Sequence, residues 1–295
     1  GGASATMLYT HATTSFDFDG TNDFINLGNS WGLKQREADT STGKGLTCAV
    51  WFKLDDPQST GTLEDMVHCI QFPGGWSLKY QNTRLVATLN YGGATRDANI
   101  NVTGAFRTLG NPAIGTEIRA SHWHHVGMTW DGRYLKMYLN GSLYGTTDAG
   151  SDDNYIHHDS GSPGTNGIEQ PACPDANDAD LCIGGDPSGL QTLSGCGVSG
   201  SSTTSGNFAG LINEVAIFNM AISADAFEEI FEAVNTDGSV LDLTQDYGKY
   251  VESARLVGLY RGNSIDTYTA TNVINPGTFD GSMKNGVGTS STVPS

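Results

Sequence analysis

The side chains best suited to binding a ligand are aromatic residues in or beside predicted turns, together with nearby carboxylates. An aromatic ring offers a flat apolar surface to a sugar, and carboxylates accept hydrogen bonds from sugar hydroxyl groups. The candidate glycan-binding residues are Trp31, Trp76, Tyr91, Asp152, Asp153 and Tyr155. A purely structural role, in which the same rings pin loops onto the fold, is equally compatible with these positions.

Patterns typical of catalysis are absent from the sequence. Hydrolysis of a glycosidic bond uses two carboxylates at a fixed separation, which an E-x-D-x-E spacing on one strand would provide. The closely spaced acids are instead Glu228, Glu229 and Glu232 in a predicted helix, and Glu64 and Asp65 in a predicted loop. Nucleophile-elbow and phosphate-loop motifs are also missing. We therefore predict that the chain has no catalytic residues and is not an enzyme.

The chain is strongly acidic, with 15 Lys and Arg against 32 Asp and Glu and a net charge of −17. Such a surface repels phosphate backbones and anionic lipids, so we expect neither nucleic acid nor a membrane as a partner. Acidity of this kind is also typical of adaptation to salty water or of divalent-cation binding through oxygen ligands. Solubility alone explains it equally well.

The five cysteines fall into two groups. Cys48 and Cys69 lie in apolar segments that resemble strands, which predicts buried thiols. Cys173, Cys182 and Cys196 lie in loop-like sequence rich in Gly, Ser and Asp, where a disulfide could staple the chain. We predict a disulfide between Cys173 and Cys182, and no zinc site because C-x-x-C pairs are absent.

Short segments of alternating polarity, bounded by turn residues, recur along the chain and predict many antiparallel strands. The clearest region, 124–144, predicts a three-stranded meander with a type I′ turn at Asn140 and Gly141. Its Trp and His residues occupy strand positions, which favours a core role for them. A helix is predicted at 223–235, with Ser223 as N-cap. Long loops are predicted at 145–180 and 184–207.

Several segments, in this order, resemble the laminin-G-like jelly roll of the concanavalin A-like lectin and glucanase superfamily. They are FDFDGTNDF at 16–24, LTCAVWFK at 46–53, HWHHVGMTWDG at 122–132, LKMYLNG at 135–141 and GLINEVAIF at 210–218. The resemblance covers about 14–237. It implies an all-β fold, an antiparallel two-sheet β-sandwich (jelly roll) with long loops and one short C-terminal helix.

The last sixty residues carry a second resemblance. The segments LVGLYR at 256–261 and FDGSM at 279–283 are similar to a segment that usually precedes such a domain. This order resembles laminin-G-like domains in virion structural proteins of marine tailed phages. We expect a jelly-roll domain at 1–237 and an extension at 238–295 that packs back and completes the sandwich, the alternative being the start of a truncated repeat.

The resemblance also implies a possible calcium site, because relatives often bind calcium near the first strand. Oxygen ligands in the matching positions are Asp19, Asp23, Asn213 and Glu214. The same residues could instead cap strand ends and fix turns. No organic cofactor is expected.

The function that the resemblance implies is a surface-exposed, non-catalytic structural or binding protein. We expect a virion component, in a capsid decoration or fibre, that contacts host-surface glycans or neighbouring subunits and forms a homo-oligomer on the particle. The alternatives are a secreted lectin-like adhesion module of a larger protein and, as a third hypothesis, a glycoside hydrolase. The expected location is extracellular or on the virion surface.

Overall fold

The structure is a computed structural model that describes fourteen parts of the chain. They are 9–11, 13–28, 45–55, 63–68, 76–81, 84–91, 94–101, 118, 122–131, 133–148, 181–185, 207–234, 239–266 and 268–294. The strands of the first half are β1 (Tyr9–His11), β2 (Ser15–Asp19), β3 (Phe24–Asn26), β4 (Leu46–Leu54), β5 (Leu63–His68), β6 (Trp76–Gln81), β7 (Arg84–Tyr91), β8 (Ala94–Asn101), β9 (His124–Trp130), β10 (Tyr134–Leu139) and β11 (Ser142–Asp148).

The second half adds short strands, one α-helix and one turn of 3₁₀ helix. They are β12 (Cys182–Ile183), β13 (Ala209–Phe218), α1 (Ala224–Glu232), β14 (Ser239–Leu241), the 3₁₀ turn Ser253–Arg255, β15 (Leu256–Tyr260), β16 (Ile265–Asp266), β17 (Thr269–Ala270), β18 (Gly281–Lys284) and β19 (Gly288–Ser290). None of the helices in these described parts is long and apolar enough to cross a bilayer.

Two antiparallel sheets form a sandwich, which confirms the predicted fold class. One sheet has the order β11-β10-β9-β4-β13-β2-β19, and β15 also pairs with β13. The facing sheet has the order β16-β17-β18-β3-β12-β5-β6-β7-β8. A separate pair joins β1 to β14.

The alternation of side chains along the strands places the main core between the sheets. In β2, Phe16 and Phe18 are fully buried, so Asp17 and Asp19 lie on the outer face of the sheet. The same core contains Val126, Met128 and Trp130 of β9. It also contains Trp76 and Tyr80 of β6. The predicted core role is confirmed for Trp130.

A second apolar cluster covers the outer face of β4, β10 and β13, because α1 packs there. Phe227 stacks on Tyr138 with ring centroids 4.1 Å apart. Ser223 caps the helix by accepting a hydrogen bond from the Ala226 N–H at 3.0 Å. The predicted helix is confirmed, but it ends at Glu232, where the Ala233 N–H still bonds the Glu229 carbonyl.

The predicted meander is present as β9, β10 and β11. Asn140 and Gly141 join β10 to β11 with φ values of 47° and 78°, as a type I′ turn requires. Two sequence expectations are corrected. Residues 145–148, predicted as loop, belong to β11, and Glu64 and Asp65 lie in β5 rather than in a loop.

Strands that follow α1 pair with both sheets. β15 pairs with β13, β19 pairs with β2, and β18 pairs with β3. Since β2 and β3 are consecutive in sequence but lie in opposite sheets, β18 and β19 flank them on the two layers. The turn between β18 and β19 therefore lies beside the loop between β2 and β3.

Candidate functional site

Two loops meet at one end of the sandwich and hold each other in place. In the β2–β3 loop, the Asp19 carboxylate accepts a hydrogen bond from the Thr21 N–H at 2.7 Å, and Gly20 supplies the positive φ of 75° that the tight turn needs. The Asn285 side chain, in the turn after β18, donates to the Asn22 carbonyl at 2.8 Å. The Asn207 amide donates to the Thr21 carbonyl. Residues distant in sequence thus fix the shape of this end.

Four carboxylates gather here, and we call Asp17, Asp19, Asp23 and Asp55 the acidic rim. Asp17 and Asp19 share the outer face of β2. Asp55 follows β4, and its N–H bonds the carbonyl of Ala209, the residue that pairs with Asp19. Asp23 closes the loop, since its Oδ2 accepts a hydrogen bond from the Asp19 N–H at 3.2 Å. None of the four forms an ion pair with a residue that the structure describes.

The surroundings disfavour ionisation of two of the rim aspartates, Asp17 and Asp23. Burial raises the pKa of Asp17, and the negative charges of Asp55, Asp23 and Asp19 raise it further. Burial also raises the pKa of Asp23, against the hydrogen bond from the Asp19 N–H. Asp23 is only 3% exposed, and its Oδ1 is buried without a hydrogen-bond partner among the described residues. Such an oxygen can accept a hydrogen bond or bind a cation.

The predicted calcium residues do not form one site. Asp19 pairs with Ala209, so Glu214 lies five residues further along β13, about 16 Å away at roughly 3.3 Å per residue. The set of Asp19, Asp23, Asn213 and Glu214 is therefore corrected: only the two aspartates belong to the rim. Within the described parts of the chain, no group of three or more His, Cys, Asp and Glu side chains is arranged as a metal cage.

Asn213 and Glu214 have a different role, which the sequence analysis missed. The Asn213 Oδ1 accepts hydrogen bonds from the N–H groups of Glu214, at 2.9 Å, and Gly262, at 3.2 Å. Glu214 sits at a bulge in β13 with a φ of 48°, and its carboxylate meets the Arg261 guanidinium at 2.6 Å. The Asp242 carboxylate lies 3.6 Å from the same guanidinium. These contacts attach the segment after β15 to β13.

This ion pair lies in the interior of the protein. Glu214 and Arg261 are 3% and 6% exposed. Burial raises the pKa of Glu214, and the nearby positive charge of Arg261 opposes that rise. A buried pair of this kind costs desolvation energy, and removal of one partner leaves an uncompensated charge. The signal in the sequence was an acid in the strand motif INEV and a single Arg after LVGLY.

The structure describes two of the six predicted glycan-binding residues, Trp76 and Tyr91. Trp76 begins β6 and is fully buried in the core, so it is corrected from a surface aromatic to a core residue. Tyr91 is the last residue of β7. Trp31, Asp152, Asp153 and Tyr155 lie outside the described residues.

The cysteine predictions are partly addressed. Cys48 and Cys182 are both buried, and Cys182 lies in the two-residue strand between β3 and β5. Cys173, its predicted disulfide partner, lies outside the described residues, as does Cys69. The Cys173–Cys182 disulfide therefore stays a prediction.

Comparison with known proteins identifies the sandwich. A family model described as the concanavalin A-like lectin/glucanases superfamily matches residues 19–168. No functionally curated protein matches the sequence. A Bacteroides ovatus protein, named provisionally as carbohydrate-binding, superposes with a TM-score of 0.53 at 13% identity, over 97% of this chain and 61% of that one. This chain therefore spans about three fifths of that protein's length, and the likeness shows a shared fold.

Two further solved structures show weaker overlap. The heptameric SAP-like pentraxin of Limulus polyphemus has a TM-score of 0.44 at 13% identity, covering 77% of this chain and 85% of that one. The binding domain of botulinum neurotoxin serotype G has a TM-score of 0.44 at 14% identity, covering 78% and 47%.

Proposed function

We propose that this chain, which belongs to the concanavalin A-like lectin/glucanase superfamily, is a non-catalytic module that binds glycans at its surface. The observation that carries the proposal is the acidic rim, where carboxylates and amides are pinned in place at one end of a lectin-like sandwich. Carboxylates and amides held in this way are suited to the hydroxyl groups of a sugar, because each can accept or donate in a fixed direction. The Bacteroides ovatus protein with this fold is itself named as carbohydrate-binding, which supports the proposal.

Calcium is proposed as a partner of the rim. The buried, unpartnered Oδ1 of Asp23 is the kind of hard oxygen that calcium prefers, and exposed Asp19 adds a second carboxylate in the same loop. Bound calcium would supply positive charge to the rim and could coordinate sugar hydroxyls. Backbone carbonyls or water would have to complete its ligand shell, since the described side chains do not form a cage.

Glycan-array binding of the purified chain, with calcium and with a chelator, tests both proposals. We expect binding to a restricted set of glycans that weakens on chelation. Asp23→Asn should abolish the effect of calcium, because the amide keeps the shape of the carboxylate but loses its charge. A matched control is Asp225→Asn, which removes an exposed charge at the start of α1. Binding that survives chelation would remove calcium and leave the lectin role, whereas no binding to any glycan would overturn the proposed function.

Glycoside hydrolysis is the main alternative to a non-catalytic role, and it can be tested directly. Asp17 and Asp19 share one face of β2, and their Cα atoms are about 6.6 Å apart at the usual strand spacing. This distance is close to the lower limit for the separation of the two carboxyl groups in inverting hydrolysis. They lie side by side on the outer face of the sheet beside an exposed turn, whereas inverting hydrolysis needs two carboxylates on opposite sides of the sugar. We expect no release of reducing sugar from a panel of polysaccharides. Release that disappears in Asp17→Asn would overturn the non-catalytic role.

The finer proposal for where the module works is a virion surface, as a decoration or fibre component exposed to the host. Its support is the resemblance of the segment order at 256–283 to virion proteins of tailed phages. We expect the protein to copurify with particles in fixed stoichiometry. Recovery only as a free soluble protein, or an open reading frame that continues into domains of a cellular adhesion protein, would favour the secreted module instead.

A further inference from the structure

Tyr268 is the most exposed large apolar side chain in the described part of the chain. It is 73% exposed and lies at the tip of the hairpin that joins β16 to β17, where Asp266 pairs with Thr269. Its carbonyl accepts a hydrogen bond from the Met283 N–H at 2.8 Å. The ring is therefore displayed by a fixed backbone at the edge of the sheet.

The strand register places Tyr268 at the same end of the sandwich as the acidic rim. Tyr268 lies beside Met283 of β18, and Met283 pairs with Ile25 of β3. Two strand spacings, about 10 Å, therefore separate the Tyr268 backbone from β3, which begins directly after Asp23. In the same direction, β18 leads into the turn in which Asn285 bonds the Asn22 carbonyl.

The side chains between the ring and the rim are polar and open to solvent. Asn22, Lys284 and Asn285 are exposed, as are Thr21 and Asp19 of the adjacent loop. The Asn285 amide nitrogen is used within the protein, which leaves its oxygen available. Asn22 contributes only its backbone carbonyl to that bond, so its side-chain amide is not used there. An aromatic ring near the Asn285 side-chain oxygen, the Asn22 side chain and the carboxylates of the rim has the composition of a sugar subsite.

The charges of this end decide which sugars it accepts. Four aspartates form the rim, and two described lysines lie near it in the strand register. Lys53 and Asp17 both pair with Leu211, on opposite sides of β13, and Lys284 pairs with Phe24. Before calcium binds, a ligand that carries carboxylate, sulfate or phosphate groups meets four carboxylates against two lysines, a local excess of negative charge. An uncharged glycan avoids this repulsion and can still use the hydroxyl-binding groups.

We propose that Tyr268, together with Asn22 and Asn285, forms a subsite for uncharged glycans that continues from the acidic rim. This inference rests on the proposed glycan-binding function, and it adds the ligand class and the aromatic residue. Stacking of a sugar face on Tyr268 supplies the apolar contact, and the two amides supply hydrogen bonds at its edge.

The test is an array of neutral, sialylated and sulfated glycans, followed by titration of the best ligand against variants of the full chain. Tyr268→Ala should weaken binding about tenfold, the usual value of one aromatic contact, while Tyr268→Phe should stay within about twofold. Leu143→Ala is the matched control, because Leu143 is also exposed, at 50%, but lies on β11. Asn22→Ala is a second probe, since the substitution leaves the backbone bond to Asn285 intact.

The outcomes separate this inference from the function on which it rests. Binding to neutral glycans that falls with Tyr268→Ala and Asn22→Ala, but not with Leu143→Ala, supports the subsite. Glycan binding that none of the variants changes leaves the lectin role standing and overturns the subsite. Binding confined to sialylated or sulfated glycans overturns the ligand class. No binding to any glycan overturns the proposed function and the subsite together.

Discussion

His125 couples the stability of the fold to pH through a buried, uncharged imidazole. Its ring lies beneath α1, with ring centroids 5.0 Å from Trp51 and 6.0 Å from Phe227. Its Nδ1 is buried and has no hydrogen-bond partner among the described residues. Burial lowers the pKa of His125 from 6.5 to about 3, because a charged ring would lose its hydration without gaining a counter-charge.

The direction of the effect follows from which state binds the proton. The unfolded chain binds a proton at this residue below about pH 6.5, whereas the folded chain resists protonation until the pH approaches 3. The contribution of His125 to the free energy of unfolding is therefore largest above about pH 6.5 and is lost as the pH falls towards 3. Over that whole window the free energy of unfolding falls by about 5 kcal/mol, at about 1.4 kcal/mol for each unit of difference between the two pKa values. Between pH 7 and pH 5 the fall is about 2 kcal/mol.

The assay is urea denaturation of the wild type and of His125→Phe at pH 7, 6 and 5. Phe keeps a planar ring in the aromatic cluster and removes the titrating group, while the Asn140 side chain still accepts the backbone N–H of residue 125. We expect the stability of the wild type relative to His125→Phe to fall by about 2 kcal/mol from pH 7 to pH 5. His122→Gln, at an exposed histidine, is the control. A difference between wild type and His125→Phe that does not change with pH would refute the reasoning.

Three further predictions test the packing. Arg261→Met should cost about 3–5 kcal/mol in urea denaturation, because the carboxylate of Glu214 stays buried without its cation; if adding Glu214→Gln recovers none of this loss, the two residues are not coupled. Gly127→Ala would place a Cβ 2.1 Å from the Phe227 ring and should cost about 1–3 kcal/mol, whereas Gly288→Ala, with its nearest atom at 3.6 Å, should change stability by less than about 0.5 kcal/mol. A chain that ends at residue 237 lacks β15, β18 and β19, so calorimetry should show no cooperative unfolding transition; a sharp transition would contradict the structural role of these strands.

Local sequence signals predicted the elements whose formation depends on nearby residues. The Asn140–Gly141 turn was predictable because few other dipeptides tolerate two positive φ values. The start of α1 at Ser223 was predictable because an N-cap hydroxyl is followed by an amphipathic stretch. In β2, the alternation of Phe and Asp in the sequence matches the alternation of buried and outward side chains in the structure.

The site was less predictable, because exposure and long-range contacts are set by the assembled fold. Trp76 was expected at the surface on the basis of the turn before it, yet Trp76, Leu78 and Tyr80 alternate along β6 and all face the core. The partner of Glu214 is 47 residues away in sequence, and no local pattern connects them. The division at residues 237 and 238 stays a prediction, since strands on both sides of it belong to the same sheets.

The contrast between the two groups of carboxylates in this fold supports an external ligand for the rim. Glu214 is deeply buried, and the chain supplies Arg261 to balance its charge within the protein. In the rim, burial and neighbouring carboxylates raise the pKa of Asp17 and Asp23, and none of the four aspartates has an ion-pair partner among the described residues. Its shape is nevertheless fixed by specific hydrogen bonds from Asn207 and Asn285. An arrangement that is locally unfavourable but carefully positioned is typical of a binding site, and it is the observation on which the proposed cation and sugar ligands rest.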